Sequence, residues 1–246
     1  MRAEQTDGYN DTFFESNRTY ASASSDIITR LVMGLVPVRS VVDFGCADGT
    51  WLTSWKALGV AEIIGLDGNF TGTSKLGADE YLRRDLSSAI DLGRRFDLVQ
   101  CLEVAEHLPA ERAGTLIDNL LRHGKVVLFS AAPPGQGGIG HINEQPLEYW
   151  RALFQARGCE VYDCVRPAIA AGTGIPPWYR YNTLLFVERS AVDGLSSSVL
   201  ASHVPAGTPI LDRSSPAYRL RKFIIRNLPA VIRDALGRWK RRRYSD

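Results

Sequence analysis

Short apolar runs alternate with amphipathic stretches from about residue 24 to residue 188 of this 246-residue chain, the pattern of βαβ units around a mostly parallel sheet. The apolar runs SVVDF, AEIIGLD, EYLRRD, FDLVQCL, KVVLFSA, CEVYDCV and NTLLFVE predict strands. Between them TWLTSWKALG, AERAGTLIDNLLRHG and QPLEYWRALFQARG predict helices, the last two each closing on a glycine suited to a C-cap. An opening helix is predicted over SSDIITRLVMGLV, capped by a serine and stopped before Pro37. The final two strands are joined by GTGIPPWYR with no helix predicted, so they can pair antiparallel at the sheet edge.

The flanks read differently. Residues 190–217 are rich in Ser, Pro and Gly, which suits a linker or an arm lying over the domain. Residues 218–246 carry apolar positions at helical spacing among many basic residues, and Pro229 divides them into two short helices. This gives an expected organisation of an N-terminal segment 1–23, a domain 24–189, a linker or arm 190–217 and basic amphipathic helices 218–246.

Composition narrows the function classes. With 45% hydrophobic and 23% charged residues, the chain can bury one substantial α/β core. A formal net charge of +2 argues against a surface built as a whole to grip nucleic acid. The four cysteines, Cys46, Cys101, Cys159 and Cys164, fall at no metal-finger spacing and read as reduced core residues. No signal-peptide run opens the sequence and no stretch reaches the roughly 18 apolar residues of a membrane span, so a cytoplasmic protein is expected.

VVDFGCADGT sets a strand, then alternating small residues, then a helix start near Thr50, where a ligand can approach backbone and helix N-terminus. Asp67, closing the next strand about 20 residues on, suits the ribose hydroxyls of a nucleoside, and Asp85 after the third strand suits an adenine amino group. A dinucleotide fingerprint would place G-x-G-x-x-G against a pyrophosphate. Here Gly45, Ala47 and Gly49 alternate behind Asp43, a carboxylate that repels a diphosphate and suits a cationic amino-acid moiety.

With VVDFGCADG, IIGLD, RRDL, FDLVQCLEVAEHL, KVVLFSA and the terminal strand pair, the chain resembles the class I S-adenosylmethionine-dependent methyltransferases over about residues 24–188. The resemblance implies a Rossmann-like α/β fold: a seven-stranded, mostly parallel sheet with helices on both faces and its last strand antiparallel. It implies that Asp43, Gly45, Ala47 and Gly49 lie by the methionine part of S-adenosyl-L-methionine, that Asp67 binds ribose, and that Asp85 with Leu86 frames adenine. Ala47 departs from the glycine many members carry there. Tyr9, Phe13 and Phe14 lie in a segment resembling the N-terminal lid of such enzymes, and core anchoring is an equal reading of them.

EVAEH follows the fourth strand, where this family places the mouth of the acceptor pocket. Glu103, Glu106 and His107 stand at i, i+3 and i+4 and share a face if the segment is helical. The stretch resembles the E-x-x-E-H of ubiquinone-pathway O-methyltransferases and of small-RNA 2′-O-methyltransferases. That likeness implies a divalent cation held by Glu103, Glu106, His107 and a distant histidine, here His141 of GHINE. Two carboxylates and two imidazoles suit Mg²⁺, Mn²⁺ or Zn²⁺, which would lower the pKa of an acceptor hydroxyl. Without a metal, His107 or His141 becomes the general base, Glu103 orienting the site.

The loops resemble those of bacterial saccharide O-methyltransferases, which implies a small hydroxylated acceptor, a sugar or glycan. An RNA 2′-O-methyltransferase and a catalytically silent S-adenosylmethionine-binding protein are the alternatives, the first weakened by the absence of a dedicated RNA-binding module. The basic C-terminal segment leaves three roles open: packing on the domain or on a second copy in a homodimer, association with an anionic membrane surface, and contact with RNA phosphates.

Overall fold

The computed structural model describes residues 11–172 and 174–229, with side chains from residue 22 onward; Tyr9 and the second predicted C-terminal helix lie outside the described residues. Seven strands form one sheet: β1 (Ser40–Phe44), β2 (Glu62–Asp67), β3 (Tyr81–Arg83), β4 (Leu98–Leu102), β5 (Val126–Ser130), β6 (Cys159–Tyr162) and β7 (Leu184–Glu188). Their order is β3-β2-β1-β4-β5-β7-β6, parallel except for β7, which runs antiparallel to both β5 and β6. Every strand coincides with a predicted apolar run. β1 sits between β2 and β4, so chain order reverses there, and in such sheets the crevice at the strand ends takes ligands.

Among the described residues the α-helices are α1 (Asp11–Leu35), α2 (Thr50–Ala57), α3 (Ala113–His123), α4 (Leu147–Gln155), α5 (Val165–Ala168), α6 (Pro177–Asn182), α7 (Ser197–Leu200) and α8 (Pro216–Asn227). Alternation along the strands divides the core into two layers. Val42, Phe44, Val99, Cys101, Val127 and Phe129 meet Leu116 and Leu120 of α3 and Trp150 and Phe154 of α4. Val41, Leu98, Leu128 and Leu185 on the other face meet Ile28 and Val32 of α1 and Leu52 and Trp55 of α2. All four cysteines are free thiols.

Three local expectations are corrected. The first helix does not start at a serine cap: it is already helical at Asp11, the first described residue, and runs unbroken past residue 23. The serines are interior to it: Thr29 Oγ1 donates to Ser25 O at 2.7 Å, and Ser25 Oγ contacts Ser54 Oγ of α2 at 2.8 Å. Gly158 has the left-handed φ of 80° expected of a C-terminal glycine, but Gly124 is extended at φ −176°. Gly124 is needed for space instead, since a Cβ there would stand 2.6 Å from Val99 Cγ2 and 3.0 Å from Phe96 O. The connection between β6 and β7 is helical, with Pro177 starting α6 where a missing N–H costs nothing.

Residues 190–217 lie over the domain and are pinned by two buried arginines. Arg151 donates to Thr208 O at 2.6 Å and also to Pro205 O, while Arg166 donates to Leu211 O at 3.0 Å. Arg166 is fully buried and offsets its desolvation with a two-point ion pair to Asp163, at 2.8 and 2.9 Å.

Candidate functional site

The C-terminal ends of β1 to β5 lead into the candidate residues. Gly45 and Gly49 take left-handed φ of 88° and 85° in the turn from β1 to α2. A Cβ on Gly45 would collide with Val104, and one on Gly49 with Leu76, so neighbouring side chains as well as backbone demand glycine. Ala47 and Glu103 are the only non-glycine residues with positive φ among the described residues, at 46° and 57°. Such strain costs on the order of 1–3 kcal/mol each and persists where surrounding contacts hold it. Ala47 N donates to Asp67 Oδ2 at 3.0 Å, and Glu103 N to Ser130 O at 3.0 Å.

Asp43 is buried at the end of β1, and burial pushes its carboxyl up to about 7, with the charge of Asp67 adding to the rise. Asp67 Oδ1 accepts the amides of Asn69 and Phe70, both at 2.9 Å, which together with the Ala47 amide leaves part of its acceptor capacity unused. Asp85 is exposed and holds the turn after β3, accepting Ser87 N at 2.9 Å and Ser87 Oγ at 2.7 Å; these bonds lower its pKa. Leu86, next to it, is buried in the core layer.

The EVAEH segment is not one helical turn. Glu103 leaves β4 in the left-handed region, and only Ala105–His107 forms a short 3-10 helix. Glu103 therefore points to partners that the helical reading did not anticipate. Its Oε2 accepts Gln136 Nε2 at 2.6 Å and its Oε1 accepts Asn182 Nδ2 at 3.3 Å, while Asn182 Nδ2 also donates to Gln136 Oε1 at 2.8 Å. Gln136 and Asn182 were missed from sequence. Neutral amides in a Gly-rich loop and at the end of a short helix carry no local signal.

Glu106, His107 and His141 do converge: each offers a ligand atom, and these atoms lie within 4.8 Å of one another. Glu103 is not part of that group. The imidazole rings meet edge-on with centroids 4.9 Å apart, and His141 Nε2 stands 3.9 Å from Glu106 Oε1. The outer nitrogens are held from behind. His107 Nδ1 donates to Gly140 O at 3.2 Å and His141 Nδ1 to Glu144 Oε1 at 2.9 Å, which fixes the orientation of both rings. Glu144 is fixed in turn by the amides of Gly135 at 2.8 Å and Gly137 at 2.7 Å.

Electrostatics single out Glu106. Its side chain is fully buried and neither carboxylate oxygen meets a hydrogen-bond donor. Burial, and then the charge of Glu103, push it well above the usual carboxylate range. A bare buried carboxylate costs several kcal/mol, so this group must take up a proton or a cation. Burial and the neighbouring His141 lower His107 to about 4, so its imidazole is neutral at pH 7, as a metal ligand must be and as a strong base is not. The donor set and the unpartnered carboxylate fit a divalent cation.

The two halves of the site adjoin through Val104 against Gly45. Tyr179 lies between them, its ring edge-on to Trp51 at 5.1 Å, and burial and then the Glu103 carboxylate raise its phenol. The rim is aromatic and basic: the rings of Tyr181 and Tyr218 lie 5.4 Å apart, and the Arg221 guanidinium stands 5.5 Å from the Tyr218 ring centre.

Residues 14–163 match the family described as a methyltransferase domain. Among solved structures the fold is similar to DesVI of Streptomyces venezuelae, with a TM-score of 0.53 and 17% identity over 76% of this chain and 100% of that one. An O-methyltransferase family protein from Burkholderia thailandensis gives 0.53 and 13% identity over 72% of this chain and 58% of that one. The sugar N-methyltransferase KedS8 from Streptoalloteichus sp ATCC 53650 gives 0.49 and 17% identity over 77% and 99%. No curated protein matches the sequence.

Proposed function

The chain belongs to the methyltransferase-domain family and is an S-adenosylmethionine-dependent methyltransferase, and on that footing we propose that it methylates a hydroxyl of a small polyhydroxylated metabolite, a sugar or glycan. The observation that carries the hydroxyl reading is the convergence of Glu106, His107 and His141 behind Val104, with the Glu106 carboxylate buried and unpartnered.

When bound, S-adenosylmethionine supplies a methyl group on a sulfonium sulfur. In the proposed site Asp43 faces the cationic amino-acid part, and the turn Gly45–Ala47–Gly49 offers backbone to it. Asp67 turns its remaining acceptor capacity to ribose, and Asp85 with Leu86 borders the adenine. Binding a cation beside Asp43 returns the attraction that its burial removed, which explains why a carboxylate that holds its proton up to about pH 7 stands there.

Glu106, His107 and His141 would hold a divalent cation, Mg²⁺ or Mn²⁺, whose charge makes an acceptor hydroxyl easier to deprotonate. Glu103 stands next to this group with its carboxyl raised by burial, so it is placed to take the hydroxyl proton at Oε1 or Oε2 while Gln136 and Asn182 fix its orientation. Methyl transfer asks little else beyond alignment of nucleophile, methyl and sulfur. The rim of Tyr181, Tyr218 and Arg221 suits the face and hydroxyls of a sugar ring.

The test is transfer of labelled methyl from S-adenosylmethionine to a panel of mono- and oligosaccharides and to a short RNA, before and after chelation. Methylated saccharide whose formation stops with EDTA and returns with Mg²⁺ or Mn²⁺ is expected. Transfer to RNA alone would replace the acceptor, and full activity after chelation would remove the cation.

A further inference from the structure

We propose that α8 docks the protein on an anionic lipid surface beside the rim of the site. The helix is turned inside out relative to an ordinary surface helix, which buries its apolar stripe and shows its charges to water. Its inward side is polar and engaged. Arg221 donates to Gln136 O at 2.9 Å and Lys222 pairs with Asp212 at 2.9 Å; Tyr218 lies against Tyr181, and of this side only Ile225, near Gly137, is aliphatic. Its outward side carries Leu220, Phe223 and Ile224, which are 60%, 55% and 50% exposed. These stand at i, i+3 and i+4, one continuous stripe.

An apolar stripe of this size left in water marks an interaction surface. Charge decides the occupant. Residues 216–246 hold ten Lys or Arg against two Asp, whereas residues 1–215 hold nineteen Lys or Arg against twenty-five Asp or Glu. On the helix itself, Arg219 and Arg226 are exposed beside the apolar stripe, Arg226 lying over the Phe223 ring at 5.1 Å. Apolar side chains reaching an acyl boundary, flanked by cations at headgroup level, are what an interfacial helix needs on an anionic bilayer; a second copy of this chain would bring its own Arg219 and Arg226 against these like charges. No helix among the described residues is long and apolar enough to cross a membrane, so the contact is with the surface. Because Arg221 and Ile225 hold the loop that carries Gln136 to Glu103, docking on this face brings the bilayer to the rim of the site.

The experiment is co-sedimentation of the full chain with phosphatidylcholine vesicles with and without phosphatidylglycerol, beside the variant Leu220→Ser/Phe223→Ser/Ile224→Ser. Calorimetric binding of S-adenosylhomocysteine shows that the variant is folded and tests the methyltransferase reading separately. Wild type should sediment with the anionic vesicles only, and the variant should partition at least about tenfold less, since three buried apolar side chains are lost. Absence of wild-type binding overturns the proposal. So does equal binding by the variant, which would assign the contact to the basic residues alone. A dimer seen by light scattering that the variant dissolves, with no vesicle binding, would assign the stripe to a second copy.

Discussion

Gln136 donates its side-chain amide to Glu103 Oε2 at 2.6 Å, and its own side-chain oxygen accepts from Asn182, closing a three-residue ring around a partly buried carboxylate. A hydrogen bond to a charged group is worth about 1.5–3 kcal/mol. Gln136→Ala is therefore expected to lower kcat roughly 10- to 100-fold while leaving the affinity for S-adenosylhomocysteine unchanged, because Gln136 touches only the acceptor half. Steady-state kinetics beside calorimetry measures both; a matching loss of S-adenosylhomocysteine affinity would show that the ring serves the whole fold.

Asp43 gives the stability a defined pH dependence. Its folded pKa of about 7 lies above the ordinary value of 3.8, so the folded protein holds the proton more tightly than the unfolded chain. This contribution is complete below about pH 4, declines as pH rises through about 7 and is constant above, a change of roughly 4 kcal/mol. Asp43→Asn removes the titration. The Tm of the variant relative to wild type should rise between pH 5 and pH 8, with S-adenosylhomocysteine binding weakened at both. A Tm difference that does not change with pH would contradict the burial of a titrating Asp43.

Gly124 is held by space alone. Ala at this position fits the extended backbone but drives its Cβ into Val99 and the carbonyl of Phe96. Overpacking of this kind typically costs about 1–3 kcal/mol. Denaturant unfolding of Gly124→Ala should show that loss, whereas Gly59→Ala, which meets nothing within 4 Å, should suffer only the strain of its φ of 89°.

Most strands were legible because they are apolar runs between turn residues, a pattern that buried strands write directly into sequence; the short edge strand β3, half-exposed, carries it least. The two core layers followed from alternation. The start of α1 was not legible: Ser24 and Ser25 offer the chemistry of a cap, and only packing against Ser54 of α2 reveals them as helix interior. At the site, His107 and His141 stood out as two of only four histidines, His107 directly after Glu106 and His141 three residues before Glu144, each following a sheet strand. The left-handed turn at Glu103 did not, because glutamate has no preference for that region and the strain is set by Ser130 across the sheet. The partners of Glu103 lie 33 and 79 residues away in sequence, beyond the reach of any local pattern.

Direct titration of Mn²⁺ into the metal-free full chain tests the cation site without an acceptor. Calorimetry and electron paramagnetic resonance should record one ion per chain for wild type, and none for His141→Ala or Glu106→Gln, while all three proteins bind S-adenosylhomocysteine. Wild type that takes up no ion, or variants that bind it as well as wild type, would contradict the assignment of Glu106, His107 and His141 as ligands.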